Sequence, residues 1–475
     1  MQIAKKDGRW VYLEHDPALQ DANGQMVVIT SPLHGFALGA LSPRRIVFSL
    51  VCATVLLRAG SVLSGSNWDS GVLADTPTYE APALSFLRQG RFIESPDFQE
   101  YLARLSGGRP SREPRPMFIR TPGFPLFIAA VYALGGDRLT LMLAQVLVSG
   151  IGIWLTYLLG KALFSEAAGV FGAMVMAVDP LATWCAQVIM PDTLFATLVT
   201  GGALLAVLLL RRPAWLLAAG LGTVLAVATL VKPVIYYLPV PLCIMLWLGR
   251  VPGKMILGVL APVALLVGGW QVRNLTTVGT AEFSGIQGIN LLVYRAGSIV
   301  SKQEHIPMES AKAQLVRSLP PPSSLSAAEM NRVYSKAATK IIAAHALVYL
   351  RDIGRGIAVI AISPTRNRFG RLFVICSAGF LALLYLLAGL EAGSLPRASE
   401  RVLHGSVALI AIYLVLVSAG ADSIDRYRLP IMPFLAVYSG AGALRAKAWL
   451  AHRLAGRLSM RLRKPPRVGS TGSSA

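Results

Sequence analysis

Asp75 stands four residues ahead of Tyr79 in "ADTPTYEAPALSFLRQGRF", residues 74–92, between two strongly apolar stretches. A carboxylate at the edge of a membrane, packed against apolar helices and facing a bound substrate, becomes basic enough to accept a proton. Asp75 also lies two residues before Pro77, the position of a helix cap with proline just inside. Spacing alone leaves both readings open. Asp192, after Pro191 in "VIMPDTLF", has the same two readings.

The cations that could accompany them are Arg120 in "FIRTPGFPLF", Lys232 before Pro233, Arg273 beside Asn274 in "WQVRNLTTVGT", and Arg426 and Arg428 on either side of Tyr427 in "DRYRLP". A guanidinium is a planar fork that fits phosphate oxygens. Each cation could equally be an interfacial anchor whose head snorkels to water. Two arginines at an outer span end run against topology rules, which favours a bound anion there. The chemistry this set could do is proton abstraction next to a bound anion.

The elements that must position these residues are membrane helices. The chain has 475 residues, 54% of them hydrophobic and 15% charged. Its mean hydropathy is +0.57. Several windows approach the ~20 apolar residues that cross a hydrocarbon core, and the alternating segments of a barrel are missing. The reading is an all-α integral membrane protein with about ten spans. They fall at about 46–63, 139–162, 167–183, 193–211, 214–231, 233–249, 255–272, 372–391, 403–420 and 430–446. "FPLFIAAVYALGG" (124–136) is too short to cross and reads as a re-entrant or interfacial helix. Residues 79–90 form a surface helix with Tyr79, Ala83, Phe86 and Leu87 on one face.

Arg44–Arg45, Arg211–Arg212, Arg250 and Lys254 mark inner ends. This leaves a polar inner tail (1–45), a transmembrane domain (46–446) and a basic inner tail (447–475), with outer loops at 64–138 and 273–371. All the candidate site residues then lie at the outer face. Ser326 and Glu329 make a capping box that opens a helix of about 327–350. Residues 346–363 are an interfacial helix or an eleventh span, since Arg366, Arg368 and Arg371 would otherwise sit outside, against the charge rule.

The net charge of +21 gathers at span ends, loops and tail, which fits anionic membrane lipid and not nucleic acid. The four cysteines are scattered and the six histidines isolated, so neither a disulfide framework nor a metal site is expected. About forty polar residues precede the first span, so a retained anchor is expected and not a cleaved signal. Asn274 opens a weak glycosylation sequon. No internal repeat of the kind secondary transporters carry is visible.

The order of "DTPTYEAPALSFLRQGRF", "RTPGFPLFIAAVYALGG", "LMLAQVLVSGIGIWLTYLLGKALF", "PDTLF", "ATLVKPVIYYLP", "WQVRNLTTVGTAEFSGIQGINLL" and "DRYRLPIMPFLAVYSG" resembles the GT-C fold glycosyltransferases. The likeness is to family 39, the dolichyl-phosphate-mannose protein mannosyltransferase-like group, in its bacterial form. It implies an enzyme of the inner membrane, with its site facing the periplasm or exterior. Such an enzyme moves a hexose or pentose from a polyprenyl-phosphate sugar to a glycan, glycolipid or protein acceptor, with inversion.

By this likeness Asp75 is the general base and Asp192 the second carboxylate. Arg120, Lys232, Arg273, Arg426 and Arg428 bind the donor phosphate, and Tyr79, Asn274 and Tyr427 contact substrate. Thr76 stands where many relatives have a second acid, and Arg120–Thr121 where the aminoarabinose-transferring type has Glu-Lys. Those departures leave metal use open; no other cofactor is implied. The alternative reading is a secondary transporter of an anionic or lipid substrate, whose ionisable groups would sit at mid-span.

Overall fold

In the computed structural model the described residues are 2–6, 9–13, 42–65, 71–110, 113–363, 371–393 and 400–462. Arg366, Arg368 and most of both chain ends lie outside them. The chain divides into two units, Met1–Ser42 and Pro43–Ala475. In the first, β1 (Gln2–Lys6) and β2 (Arg9–Leu13) pair antiparallel, with Gln2 opposite Leu13 and Lys6 opposite Arg9. The Asp7–Gly8 pair in the sequence between them is a strong hairpin signal. It gives the polar N-terminal segment an element that hydropathy does not register.

The second unit is all-α. Its helices, in chain order, begin with α1 (Pro43–Ser64), α2 (Pro77–Gln89), α3 (Pro96–Ser106), α4 (Gly123–Ala133), α5 (Arg138–Leu163) and α6 (Glu166–Val178). Then come α7 (Pro180–Cys185), α8 (Asp192–Arg211), α9 (Trp215–Val231), α10 (Pro239–Leu248) and α11 (Gly253–Val278). The last group is α12 (Ile286–Ile289), α13 (Gly297–Gln303), α14 (Met308–Arg317), α15 (Ala327–Ala344), α16 (Ala346–Ile362), α17 (Arg371–Ala392), α18 (Arg401–Ser418) and α19 (Met432–Leu462).

Each expected span coincides with a helix. Among the described residues six (α1, α5, α8, α11, α17 and α18) are long and apolar enough to cross a membrane. Two of the others are interrupted by identifiable breakers. Asp179 caps α7, accepting from the Ala182 N–H, and divides 167–183 into α6 and α7. Pro233 and Pro239 divide 233–249 into a 3₁₀ turn and α10. The α4 helix has 11 residues, the short apolar piece that the sequence predicts.

The capping box at Ser326 forms, and α15 ends at His345, where α16 starts. At 17 residues, α16 does not qualify as a span. Its buried Asp352 accepts from Ser298 and pairs with Lys302, which ties it to α13.

Apolar burial holds the helices in two large sets. One joins α4, α5, α8, α9, α10 and α18, and the other α1, α5, α6, α7, α17 and α19. A separate core joins α3, α14, α15 and the π-helical stretch Asn290–Ala296. Helix contacts between spans need small residues, because lipid leaves little hydrophobic gain between helices. Gly222 of α9 is such a contact: a Cβ there would collide with the backbone of Val259 on α11. Since α9 leads to Lys232 and α11 carries Arg273, this contact fixes the span ends that carry those cations. Gly222→Val should destabilise the protein by about 1–3 kcal/mol through overpacking, read as a lower thermal midpoint in detergent. An unchanged midpoint would show that the two helices are not so closely packed.

Candidate functional site

The site begins with the turn before α2. Thr76 is buried; its hydroxyl accepts from the Leu73 N–H (2.9 Å) and donates to the Ile189 carbonyl (3.0 Å). The N-cap of α2 is Thr76, with no side-chain cap bond. The Asp75 carboxylate is therefore not spent as a cap. It points instead at two arginines. Arg120 Nη2 donates to Asp75 Oδ1 at 3.0 Å, and Arg426 Nη2 reaches Asp75 Oδ2 at 3.5 Å. The Asp75 side chain stays 45% exposed, while the arginines are largely covered.

Arg120 is fixed from two more sides. Its Nε donates to Thr78 Oγ1 at 3.0 Å, and its guanidinium lies 4.6 Å over the Tyr79 ring. Tyr79 is buried edge-on against Phe124 of α4. Burial alone would lower the Arg120 pKa, but Tyr79, Asp75 and Glu94 outweigh it and hold the charge above its ordinary value. The same balance holds for Arg426, where Asp192, Tyr427 and Asp75 overcome burial. Both guanidinium groups are fixed positive charges.

Asp192, 1% exposed, opens α8 and also makes no cap bond. Its Oδ1 accepts from Lys232 Nζ at 2.7 Å, and its Oδ2 has no hydrogen-bond partner. Lys232 Nζ lies 5.7 Å from the Tyr427 ring and 5.6 Å from that of Phe195. Asp75, Tyr79, Arg120 and Arg426 thus form one set, with Asp192, Lys232 and Tyr427 beside it through Arg426.

Three predicted residues are engaged elsewhere. Arg428 is buried and donates to the carbonyls of Ile360 (3.0 Å) and Ser363 (2.9 Å), closing the C-terminus of α16. Residues 425–431 are 3₁₀ helix, and at three residues per turn Arg426 and Arg428 cannot share a face. Arg273 stacks on Trp270 (4.6 Å) and donates to the carbonyls of Met117 (2.6 Å) and Phe92 (3.4 Å). Asn274 is buried and donates to the carbonyls of Glu282 and Phe283. These contacts organise the end of α16 and the loops around Phe92, Met117 and Phe283, and not the Asp75 set.

Two polar clusters escape sequence reasoning. Glu80 on α2 is gripped by Arg138 Nη2 (2.7 Å) and by the Tyr132 hydroxyl (2.7 Å), which docks α2 on α4 and α5. Arg58 in α1 is buried and donates to Ser149 Oγ (3.0 Å), Thr183 Oγ1 (3.1 Å) and the Met176 and Ala177 carbonyls at the end of α6. The signal for Arg58 was available, since an arginine inside an apolar span needs buried partners. Among the described residues no three His, Cys, Asp or Glu side chains gather as metal ligands.

Residues 119–268 match the family model described as dolichyl-phosphate-mannose-protein mannosyltransferase, well under half of the chain. The stretch contains Arg120, Asp192 and Lys232. The match supports the membrane glycosyltransferase that the ordered segments resemble. No curated protein matches the sequence.

Among solved structures, the archaeal oligosaccharyltransferase AglB from Archaeoglobus fulgidus, in complex with an inhibitory peptide and a dolichol-phosphate, is 12% identical. Its TM-score is 0.47, over 91% of this chain and 53% of that one. The Archaeoglobus fulgidus oligosaccharyltransferase tethered with an acceptor peptide is 13% identical, at TM-score 0.49 over 83% and 49%. ArnT from Cupriavidus metallidurans bound to undecaprenyl phosphate is 14% identical, at TM-score 0.38 over 86% and 80%. The chain spans about half the length of the oligosaccharyltransferases it matches.

The Glu80 cluster yields a pH test. Burial pushes the Glu80 carboxyl up, but the Arg138 and Tyr132 hydrogen bonds outweigh it and hold its pKa below the ordinary value. Stability from this group is present above the unfolded pKa of about 4 and is lost as pH falls through the folded value. The native thermal midpoint should fall across that acid window, and Glu80→Gln should lack this part of the decline. Equal acid sensitivity in both would contradict the role of the cluster.

Proposed function

We propose that the protein transfers a sugar from a polyprenyl-phosphate carrier to an acceptor hydroxyl at the exterior face of the membrane in which it is embedded. The observation that carries this is the half-exposed Asp75 carboxylate held by Arg120 and Arg426, side chains that lie 45 and 351 residues away in sequence. A free carboxylate needs no such assembly. Two converging guanidinium groups are what a phosphodiester requires.

In the reaction the acceptor hydroxyl oxygen attacks the anomeric carbon, and its proton passes to Asp75. The bond between that carbon and the phosphate oxygen breaks, and the electron pair leaves with the carrier phosphate, which gains a negative charge. Arg120, Arg426 and Lys232 neutralise that charge as it develops. The phosphate departs without needing a proton, so no strong general acid is required. Attack opposite the leaving group inverts the anomeric centre.

The pairing of Asp75 with the arginines has a further consequence. The donor phosphate competes for the same two guanidinium groups, and its arrival frees the Asp75 oxygens from Arg120 and Arg426 to accept the proton of the attacking hydroxyl. Asp192, buried on Lys232, holds that ammonium at the site, and the ring of Tyr79 keeps the Arg120 fork in place.

Asp75→Asn should reduce transfer from a polyprenyl-phosphate sugar in membranes by about 10²–10⁴-fold with expression intact. Near-native transfer would remove Asp75 as the base. Lys232→Ala should cost more than a surface cation would, because it leaves the Asp192 charge buried and unpaired, a loss of roughly 3–5 kcal/mol in stability. Thermal midpoints of Lys232→Ala and Lys232→Met that match the native protein would contradict this.

A further inference from the structure

The segment Met117–Ile119, directly before Arg120, is unusually constrained. All three residues are buried, and each of their six backbone polar groups has a partner. The Met117 N–H donates to the Phe92 carbonyl at 3.0 Å, and the Phe118 carbonyl accepts from the Gly285 N–H at 2.9 Å. The Met117 carbonyl accepts from Arg273 Nη1 at 2.6 Å, and the Ile119 carbonyl from Ser284 Oγ at 2.7 Å. The two remaining donors, the N–H groups of Phe118 and Ile119, both go to Glu94 Oε2, at 3.2 and 3.1 Å.

That last pair is distinctive. Successive N–H groups of an extended strand point to opposite sides, so no neighbouring strand could accept both. Here they converge on one carboxylate oxygen, the arrangement of an anion nest. Glu94 is 7% exposed, and its own N–H donates to the Arg115 carbonyl at 2.8 Å, so the acceptor is itself anchored. Its Oε1 has no partner, so the carboxylate is committed to the chain turn before Arg120. Gly285 completes the cradle. A Cβ there would meet the Phe118 ring at 2.6 Å, so only glycine lets the Gly285 N–H approach.

We propose that Glu94 is a positioning residue. By gathering the Phe118 and Ile119 N–H groups it sets the direction in which Arg120 leaves the chain, and so the geometry in which Arg120 meets Asp75 and the donor phosphate. The proposal rests on the phosphate-binding reading of Arg120 given above. Arg273, Ser284 and Gly285 hold the opposite side of the same three residues.

The test uses Glu94→Leu, Glu94→Asp and Glu94→Gln in the full-length protein, with undecaprenyl phosphate in detergent as the probe. Glutamine keeps a carbonyl oxygen in place of Oε2, leucine keeps the bulk without an acceptor, and aspartate keeps the charge but falls short. Hydrogen exchange of the Phe118 and Ile119 amides should accelerate in the leucine and aspartate variants and stay native in the glutamine variant. Probe binding should weaken about tenfold or more in Glu94→Leu, several-fold in Glu94→Asp, and less than about threefold in Glu94→Gln.

In an Arg120→Ala background Glu94→Leu should add nothing, because its effect passes through Arg120. Unchanged exchange in Glu94→Leu and Glu94→Asp, a glutamine variant as impaired as leucine, or additive losses with Arg120→Ala would each overturn the assignment. Exchange decides the role of Glu94 without any ligand. A native protein that binds no undecaprenyl phosphate would refute the lipid-phosphate reading on which the proposal rests.

Discussion

The structure turns on one carboxylate shared between two guanidinium groups. Asp75, Arg120 and Arg426 come from the turn before α2, the strand-like segment before α4, and the 3₁₀ turn before α19. Each is presented by a backbone that leaves little choice. Thr76 is tied to Leu73 and Ile189, Met117–Ile119 have every polar group paired, and the neighbouring Arg428 is anchored on the end of α16. Two largely covered cations on one half-exposed carboxylate leave net positive charge beside it, a condition that favours an arriving anion. Support for the site is therefore spread over much of the chain, while the chemistry is confined to a few atoms.

Much of the fold was legible in the sequence. Apolar runs located helix at each of the ten expected segments, six of them long and apolar enough to cross a membrane among the described residues, and the capping box at Ser326 and Glu329 located the start of α15. Breaks within runs were not legible, because hydropathy averages across Asp179–Pro180 and across Pro233, where the backbone stops being helical. The hairpin Gln2–Leu13 was missed for the opposite reason. Its signal is the Asp7–Gly8 pair in the sequence, which hydropathy does not measure.

The site was legible in residue type but not in direction. Asp75, Arg120, Asp192, Lys232 and Arg426 drew attention as charges at span ends, and the structure brings them to one place. Arg273 and Arg428 carried the same signal and point elsewhere, because backbone carbonyls, those of Met117 and Phe92 in loops for Arg273 and those at the end of α16 for Arg428, also accept from a guanidinium. Glu94 gave no signal at all. Its role depends on two N–H groups some 24 residues away in sequence, and only the folded chain shows that they converge.

The central claim is that Asp75 and the donor phosphate share the same two guanidinium groups, and that Asp75 takes the acceptor proton once the phosphate has arrived. Comparing donor binding and turnover in Asp75→Asn tests this most directly, since the two report different halves of the claim. The account predicts that undecaprenyl phosphate binds the variant at least as tightly as the native protein, because a neutral amide no longer competes for Arg120 and Arg426, while kcat collapses. Weaker binding with an unchanged kcat would contradict it.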